Sequence, residues 1–132
     1  MRFPGGDLRL VDFGCVRPAG GYCVPGHSRR YCAPEVARAV LRRDDGGAAD
    51  IRVEPSMDLW ATGLVLYELF LGAPRFGEAV SYKELAASGG IALPKQADEL
   101  IGEAHCRLLS AVLLRDPSKR PSAQYMVGGI SY

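Results

Sequence analysis

The residues able to do chemistry fall in four short runs. Asp12 stands in Leu10-Val11-Asp12-Phe13-Gly14, and Glu35 closes Tyr31-Cys32-Ala33-Pro34-Glu35, a few residues after Ser28. Asp58 opens Asp58-Leu59-Trp60-Ala61-Thr62-Gly63, and Arg120 lies in Leu114-Arg115-Asp116-Pro117-Ser118-Lys119-Arg120-Pro121. A hard cation takes oxygen ligands, and a carboxylate at a strand-to-loop turn supplies one where a following glycine lets the chain fold away. Asp12, followed by Phe13 and Gly14, has that form. Any one of these runs arises by chance; all four in this order do not. Asp58 also has a plain structural reading, since an Asp in a first helical turn is favoured by the helix dipole alone. Trp60 reads as core rather than as a ligand contact. Cys15, Cys23, His27 and Cys32 suggest a metal set, but no pair has the Cys-x-x-Cys spacing of structural zinc sites, so no zinc is expected.

The elements that must hold these residues follow from hydrophobic period and punctuation. Leu8 to Phe13, after Pro4-Gly5-Gly6, reads as a short strand. Cys15 to Arg30, with three Gly and two Pro, reads as a long loop, of the kind that is either functional or disordered. Pro34 starts a helix through Val36, Val40 and Leu41 that ends in the cluster from Arg42 to Gly47. Asp44 to Glu54 reads as an exposed loop. Ser56 is the expected N-cap of a helix from Met57 to Leu71, which stops at Gly72 and Pro74. That helix is apolar on nearly every side and belongs at a centre. A second long helix runs from Asp98 and Glu99 through Leu100, Ile101, Ala104, Leu108 and Val112, stopping near Asp116-Pro117. Pro121 starts a last short helix. The fold class is mainly α, with a short β element at the N-terminus.

The 132 residues are 48% apolar and 23% charged, with 16 Lys plus Arg against 15 Asp plus Glu. This suits one small domain with a core of its own. A net charge of +1 excludes a general electrostatic drive toward nucleic acid or an acidic membrane. Residues 1–43 nevertheless carry eight Arg against Asp7, Asp12 and Glu35, either a basic patch or a solvated face. The longest apolar run, Leu59 to Leu71, contains Glu68 and is too short to span a bilayer. Four cysteines without a secretory leader point to a reduced intracellular compartment, cytoplasmic or nuclear. Cys15 is expected to be buried and inert.

In this order the four runs resemble the C-terminal lobe of eukaryotic protein kinases, from Asp7 to about Met126. The resemblance implies a kinase-like, mainly α lobe, with residues 1–132 forming one partial kinase domain. It implies that Asp12 holds Mg2+ against the phosphates of ATP, and that an activation segment runs from Asp12-Phe13-Gly14 to Ala33-Pro34-Glu35. Ser28 and Tyr31 fall at the substrate-facing loop of Ser/Thr-type members, where His27-Ser28 replaces the usual Gly-Thr. Glu35 maps to a partner at Arg120, and Asp58 to the residue that braces the catalytic loop. Trp60 and Gly63 fall in the central helix as structural residues.

The same resemblance implies parts that the 132 residues do not contain. The Gly-rich loop, the strand Lys with its helix Glu, and the His-Arg-Asp segment with its Asn normally precede Asp-Phe-Gly. The chain has no Asn, and Lys only at 83, 95 and 119. Positioning and electrostatics supply nearly all of the rate in phosphoryl transfer, so the chain alone is expected not to catalyse it. The favoured reading is a Ser/Thr kinase portion completed by an upstream region, acting on protein substrates. The alternative is a non-catalytic remnant that binds a protein partner, or itself, through the uncovered central helix. Tyr22 is the only hydroxyl between Asp12 and Ser28, and Arg17, Arg29 and Arg30 would favour acidic or phosphorylated substrates.

Overall fold

Proline at two helix starts and glycine at two helix ends set several element boundaries. The computed structural model describes Arg9, residues 11–48 and residues 50–128. Helix α1, Pro34–Asp44, has Pro34 at its first position, where a missing N–H costs nothing, Glu35 in its first turn and Arg42 and Arg43 in its last. Helix α2, Pro55–Leu71, ends at Gly72 in the left-handed region, φ 75°, with the Gly72 N–H on the Glu68 carbonyl. Its start differs from expectation. Glu54 is the N-cap and Ser56 lies inside the helix, because Pro55 already presets the first-turn φ.

Two further differences have local causes. Helix α3, Tyr82–Ala87, was not anticipated, although a capping box holds its start. The Glu84 N–H donates to Ser81 Oγ at 3.2 Å, and the Ser81 N–H donates back to Glu84 at 2.8 Å. The single long helix expected from Asp98 to Val112 is two helices, α4, Ala97–Ile101, and α5, Glu103–Val112. Gly102 separates them at φ 78°, a conformation outside the helical region. The last helix, α6, Ala123–Gly128, begins two residues beyond Pro121.

The β element is not where the hydrophobic run placed it. Leu8 and Leu10 lie outside the described residues, and Phe13 starts a 3-10 turn, Phe13–Cys15, rather than ending a strand. Strands β1, Tyr22–Cys23, and β2, Ile51–Arg52, pair antiparallel in register Tyr22↔Arg52 and Cys23↔Ile51. Both lie in stretches expected to be loops. Two bonds of 2.8 Å, Gly20 N–H to the Val53 carbonyl and Val53 N–H to the Gly21 carbonyl, lengthen the ladder. A two-residue strand offers no alternation to read, and its partner is distant in sequence.

The core forms where α2 meets α5. Trp60, Leu64, Leu109, Val112 and Leu113 are buried together, joined by Val36 and Ala37 of α1 and Leu85 of α3. Helix α1 packs on α3, and α2 packs on α4, on α5 and on a 3-10 turn at Arg29–Tyr31. The central helix is not enclosed on every side. Leu59, Trp60, Gly63 and Leu64 are buried, whereas Val65 and Leu69 are 43% and 68% exposed. No helix among the described residues is long and apolar enough to cross a membrane.

Gly63 sets the approach of α2 to α5. A Cβ there would stand 2.7 Å from Val112 Cγ2 and 2.9 Å from Leu113 Cδ2. Both neighbours are fully buried. Overpacking costs roughly 1–3 kcal/mol, against about 1 kcal/mol of helix propensity gained. Gly63→Ala is therefore expected to lower the urea midpoint at unchanged slope, and a raised midpoint would show that α5 yields freely at this contact.

Candidate functional site

Asp12 makes the turn that the sequence assigned to Gly14. Its φ and ψ are 65° and 72°, left-handed, while Gly14 lies within the following 3-10 turn at ordinary φ. Asp tolerates this region better than most residues. Among the described residues the Asp12 carboxylate has no hydrogen-bond or ion-pair partner. It lines a cleft of about 330 Å³ together with Cys15, Arg17, Gly26, Glu54 and Asp58. Magnesium commonly takes one or two carboxylates and completes its shell with water and phosphate oxygens. Asp12 suits such a ligand. No group of three or more His, Cys, Asp or Glu among the described residues is placed as a protein cage.

Cys15 borders the same cleft and is exposed rather than buried. Its sulfur sits against Gly26, where a Cβ would come within 2.5 Å. Only a residue without a side chain leaves room for the thiol there.

Farther along the segment, side chains tie Ser28 to Tyr31 down from three directions. The His27 Nδ1 is 2.8 Å from the Pro25 carbonyl and therefore carries the proton, while Nε2 lies 3.1 Å from the Tyr82 hydroxyl. The Tyr31 hydroxyl donates to Glu68 at 2.9 Å. That bond to a carboxylate, aided by burial, pushes the Tyr31 pKa up. Arg30 forms an ion pair with Glu78 and a second, at 3.5 Å, with Glu68. Ser28, Arg29, Arg30, Tyr31 and Glu78 line an open groove of about 400 Å³. Glu68, Glu78 and Tyr82 were not singled out from sequence. Glu68 alone had a visible signal, as the one charge inside an apolar helical run.

The segment closes on a buried ion pair. Ala33 and Pro34 are buried at the start of α1, and Arg120 donates to both Glu35 oxygens, at 2.7 and 2.9 Å. Its other three N–H groups reach the carbonyls of Ser56 at 2.9 Å, Leu114 at 2.8 Å and Arg115 at 3.3 Å. All five guanidinium donors are thus used. The plane lies over the buried Trp60 ring, 4.9 Å from its centroid. Burial, and then the nearby Glu35, push the Cys32 thiol up to about 12. Geometry therefore groups the candidate residues in three places: Asp12 with Asp58, Ser28 with Tyr31, and Glu35 with Arg120 and Trp60.

Comparison with known proteins covers nearly the whole chain. A family model described as protein kinase domain matches residues 3–128. Calcium-dependent protein kinase 9 of Oryza sativa subsp. japonica is 31% identical over 126 residues, covering 92% of this chain and 20% of that protein. Serine/threonine-protein kinase ULK3 of Rattus norvegicus is 37% identical over 125 residues, covering 89% of this chain and 23% of that protein. The mitochondrial serine/threonine-protein kinase PINK1 of Mus musculus is 30% identical over 128 residues, covering 89% of this chain and 21% of that protein. The chain spans about a fifth of the length of these relatives.

Two outcomes follow from this geometry. Removing one partner of a buried ion pair costs roughly 3–5 kcal/mol, because it strands the other charge. Glu35→Gln and Arg120→Met are each expected to fall toward that range in chemical denaturation, with the double variant losing less than their sum. Strict additivity would mean that the two side chains do not act on each other. With a thiol pKa of about 12, the Cys32 thiolate fraction at pH 8 is roughly one in ten thousand. Iodoacetamide on the native protein should label Cys15 well before Cys32, as read by peptide mass mapping, and equal rates would contradict the burial of Cys32.

Proposed function

We propose that this chain, which belongs to the protein kinase family, forms the activation-segment and substrate-side part of a Ser/Thr-type catalytic domain completed by upstream residues. The single observation that carries this reading is the tethered segment from Asp12 to Glu35. It presents a free carboxylate at one end, an open groove lined by Ser28 farther along, and at the other end the Glu35 carboxylate held by the fully bonded Arg120 guanidinium.

Each residue then has a role in its own right. Asp12, with a carboxylate that no described residue occupies, would hold Mg2+ brought with ATP. The bound metal nucleotide supplies the transferable phosphoryl group and the charge neutralisation that transfer needs. Asp58, across the same cleft, would brace the backbone that carries the catalytic base. Ser28 and Tyr31 would shape the surface on which a protein substrate lies, with Tyr31 positioned by Glu68. Glu35 and Arg120 hold that surface against the helical core. The catalytic base and the phosphate lysine are assigned to no residue of this chain.

A second reading has its own observation. Asp58, Thr62, Val65 and Leu69 lie at helical spacing along α2 and are all exposed. A remnant without catalysis would use that stripe to bind a protein partner or a second copy.

Mass spectrometry of the endogenous protein, captured through its C-terminal residues, separates the two. A mass clearly above 14.2 kDa with peptides preceding Met1 supports the kinase reading; a mass of that size supports the remnant. In phosphoryl-transfer assays the 132 residues alone are expected to show no ATP-dependent transfer to Ser or Thr peptides. The longer polypeptide should show it, and Asp12→Asn in that polypeptide should lower kcat at least about a hundredfold. Unchanged turnover in Asp12→Asn would remove Asp12 from the site.

A further inference from the structure

Arg29 and Arg30 are neighbours in sequence and opposites in circumstance. The Arg30 guanidinium is held between two carboxylates, Glu78 in a close ion pair and Glu68 at 3.5 Å, and its side chain is 21% exposed. Its charge is met from within the fold. Arg29 is exposed, and no carboxylate among the described residues pairs with it. Its Cζ lies 5.4 Å from the centroid of the Tyr82 ring. The ring face attracts the cation while leaving the N–H edge free to donate outward. Tyr82 is itself held by His27, through the 3.1 Å contact to its hydroxyl and an edge-on ring contact at 5.7 Å. Arg29 is thus a positioned cation rather than a freely swinging one. Beside it in the groove of about 400 Å³ stands the Ser28 hydroxyl, which has no partner among the described residues.

We propose that this groove selects protein substrates carrying an acidic side chain near the accepting hydroxyl. Arg29 receives the carboxylate, and Arg30 fills the Glu68–Glu78 pair that would otherwise hold a basic side chain. The proposal rests on the kinase reading above for the word substrate, whereas the charge selection stands on the groove itself. The two parts act in the same direction. A basic residue entering the groove meets the Arg29 cation and finds both acidic groups already paired. An acidic residue meets a guanidinium whose donors no described carboxylate uses. Such like-charge exclusion contributes to specificity as much as attraction does.

The test uses fluorescent Ser-containing peptides that differ only in Asp, Ala or Arg flanking the serine. Their binding to the 132-residue chain is read by anisotropy at low salt and at about 0.5 M salt. The same peptides are offered with ATP and Mg2+ to the longer polypeptide, and initial rates are compared. The Asp peptide is expected to bind about three- to tenfold more tightly than the Ala peptide, less so at high salt. Arg29→Ala should bring the two to parity, and Arg29→Glu, an exposed change that does not disturb the core, should invert the order. Arg30→Ala, which frees Glu68 and Glu78, should raise affinity for the Arg peptide.

Equal binding of all three peptides, or an Asp preference that survives both Arg29 variants, overturns the proposal. Selective binding without phosphorylation of any peptide keeps the groove assignment and sinks the kinase reading. Phosphorylation of all three at equal rates keeps the kinase reading and sinks this one, and the absence of both binding and transfer overturns both.

Discussion

The Arg120 guanidinium has five N–H donors, and each has an acceptor supplied by a different stretch of chain or a different atom. Glu35 comes from the start of α1, the Ser56 carbonyl from the first turn of α2, and the Leu114 and Arg115 carbonyls from the turn after α5. The planar fork is the only side-chain shape that can satisfy so many fixed acceptors at once. Trp60 lies beneath it as a wall that keeps water out. A buried cation of this kind is tolerable only when completely paired. The relative placement of α1, α2 and the C-terminal turns is therefore the condition under which this residue can be inside at all.

The remainder of the candidate site is anchored by progressively weaker ties. Near Glu35 the segment is held by charge-assisted bonds in a dry setting. Around Ser28 it is held by half-buried and exposed groups, with Tyr31 on Glu68, Arg30 on two carboxylates and His27 on Tyr82. Around Tyr22 it is held only by a two-residue ladder against Ile51–Arg52. At Asp12 no side-chain tie among the described residues remains. The segment is thus tied firmly where it joins the core and by no side-chain bond among the described residues where the Asp12 carboxylate stands.

The front half of the sequence carries an excess of arginine, and the structure distributes it among unlike tasks. Arg38 reaches the Ala86 carbonyl and joins α1 to α3, Arg30 is paired twice, and Arg29 stacks on an aromatic ring. A count of charges along the chain describes none of this. Two adjacent arginines of identical chemistry differ in their surroundings because one faces carboxylates supplied by residues about forty and fifty positions away.

Local rules made a good part of this protein legible from its sequence. Helices α1 and α2, the glycine stop at Gly72 and the buried Trp60 depend on proline, glycine and hydrophobic period, which act within a few residues. The four ordered motifs placed Asp12, Glu35, Asp58 and Arg120 in a family whose model the chain matches over residues 3–128. The capping box at Ser81 and Glu84, and the break at Gly102, obeyed the same local rules and went unread. What lay beyond reading was of another kind. The β1–β2 pairing, the capture of Arg30 by Glu68 and Glu78, the exposure of Cys15 against Gly26 and the common cleft of Asp12 and Asp58 all join distant residues. Their partners are chosen by how the helices pack, so sequence alone determined which groups were available for chemistry, and only the tertiary structure decided which of them meet.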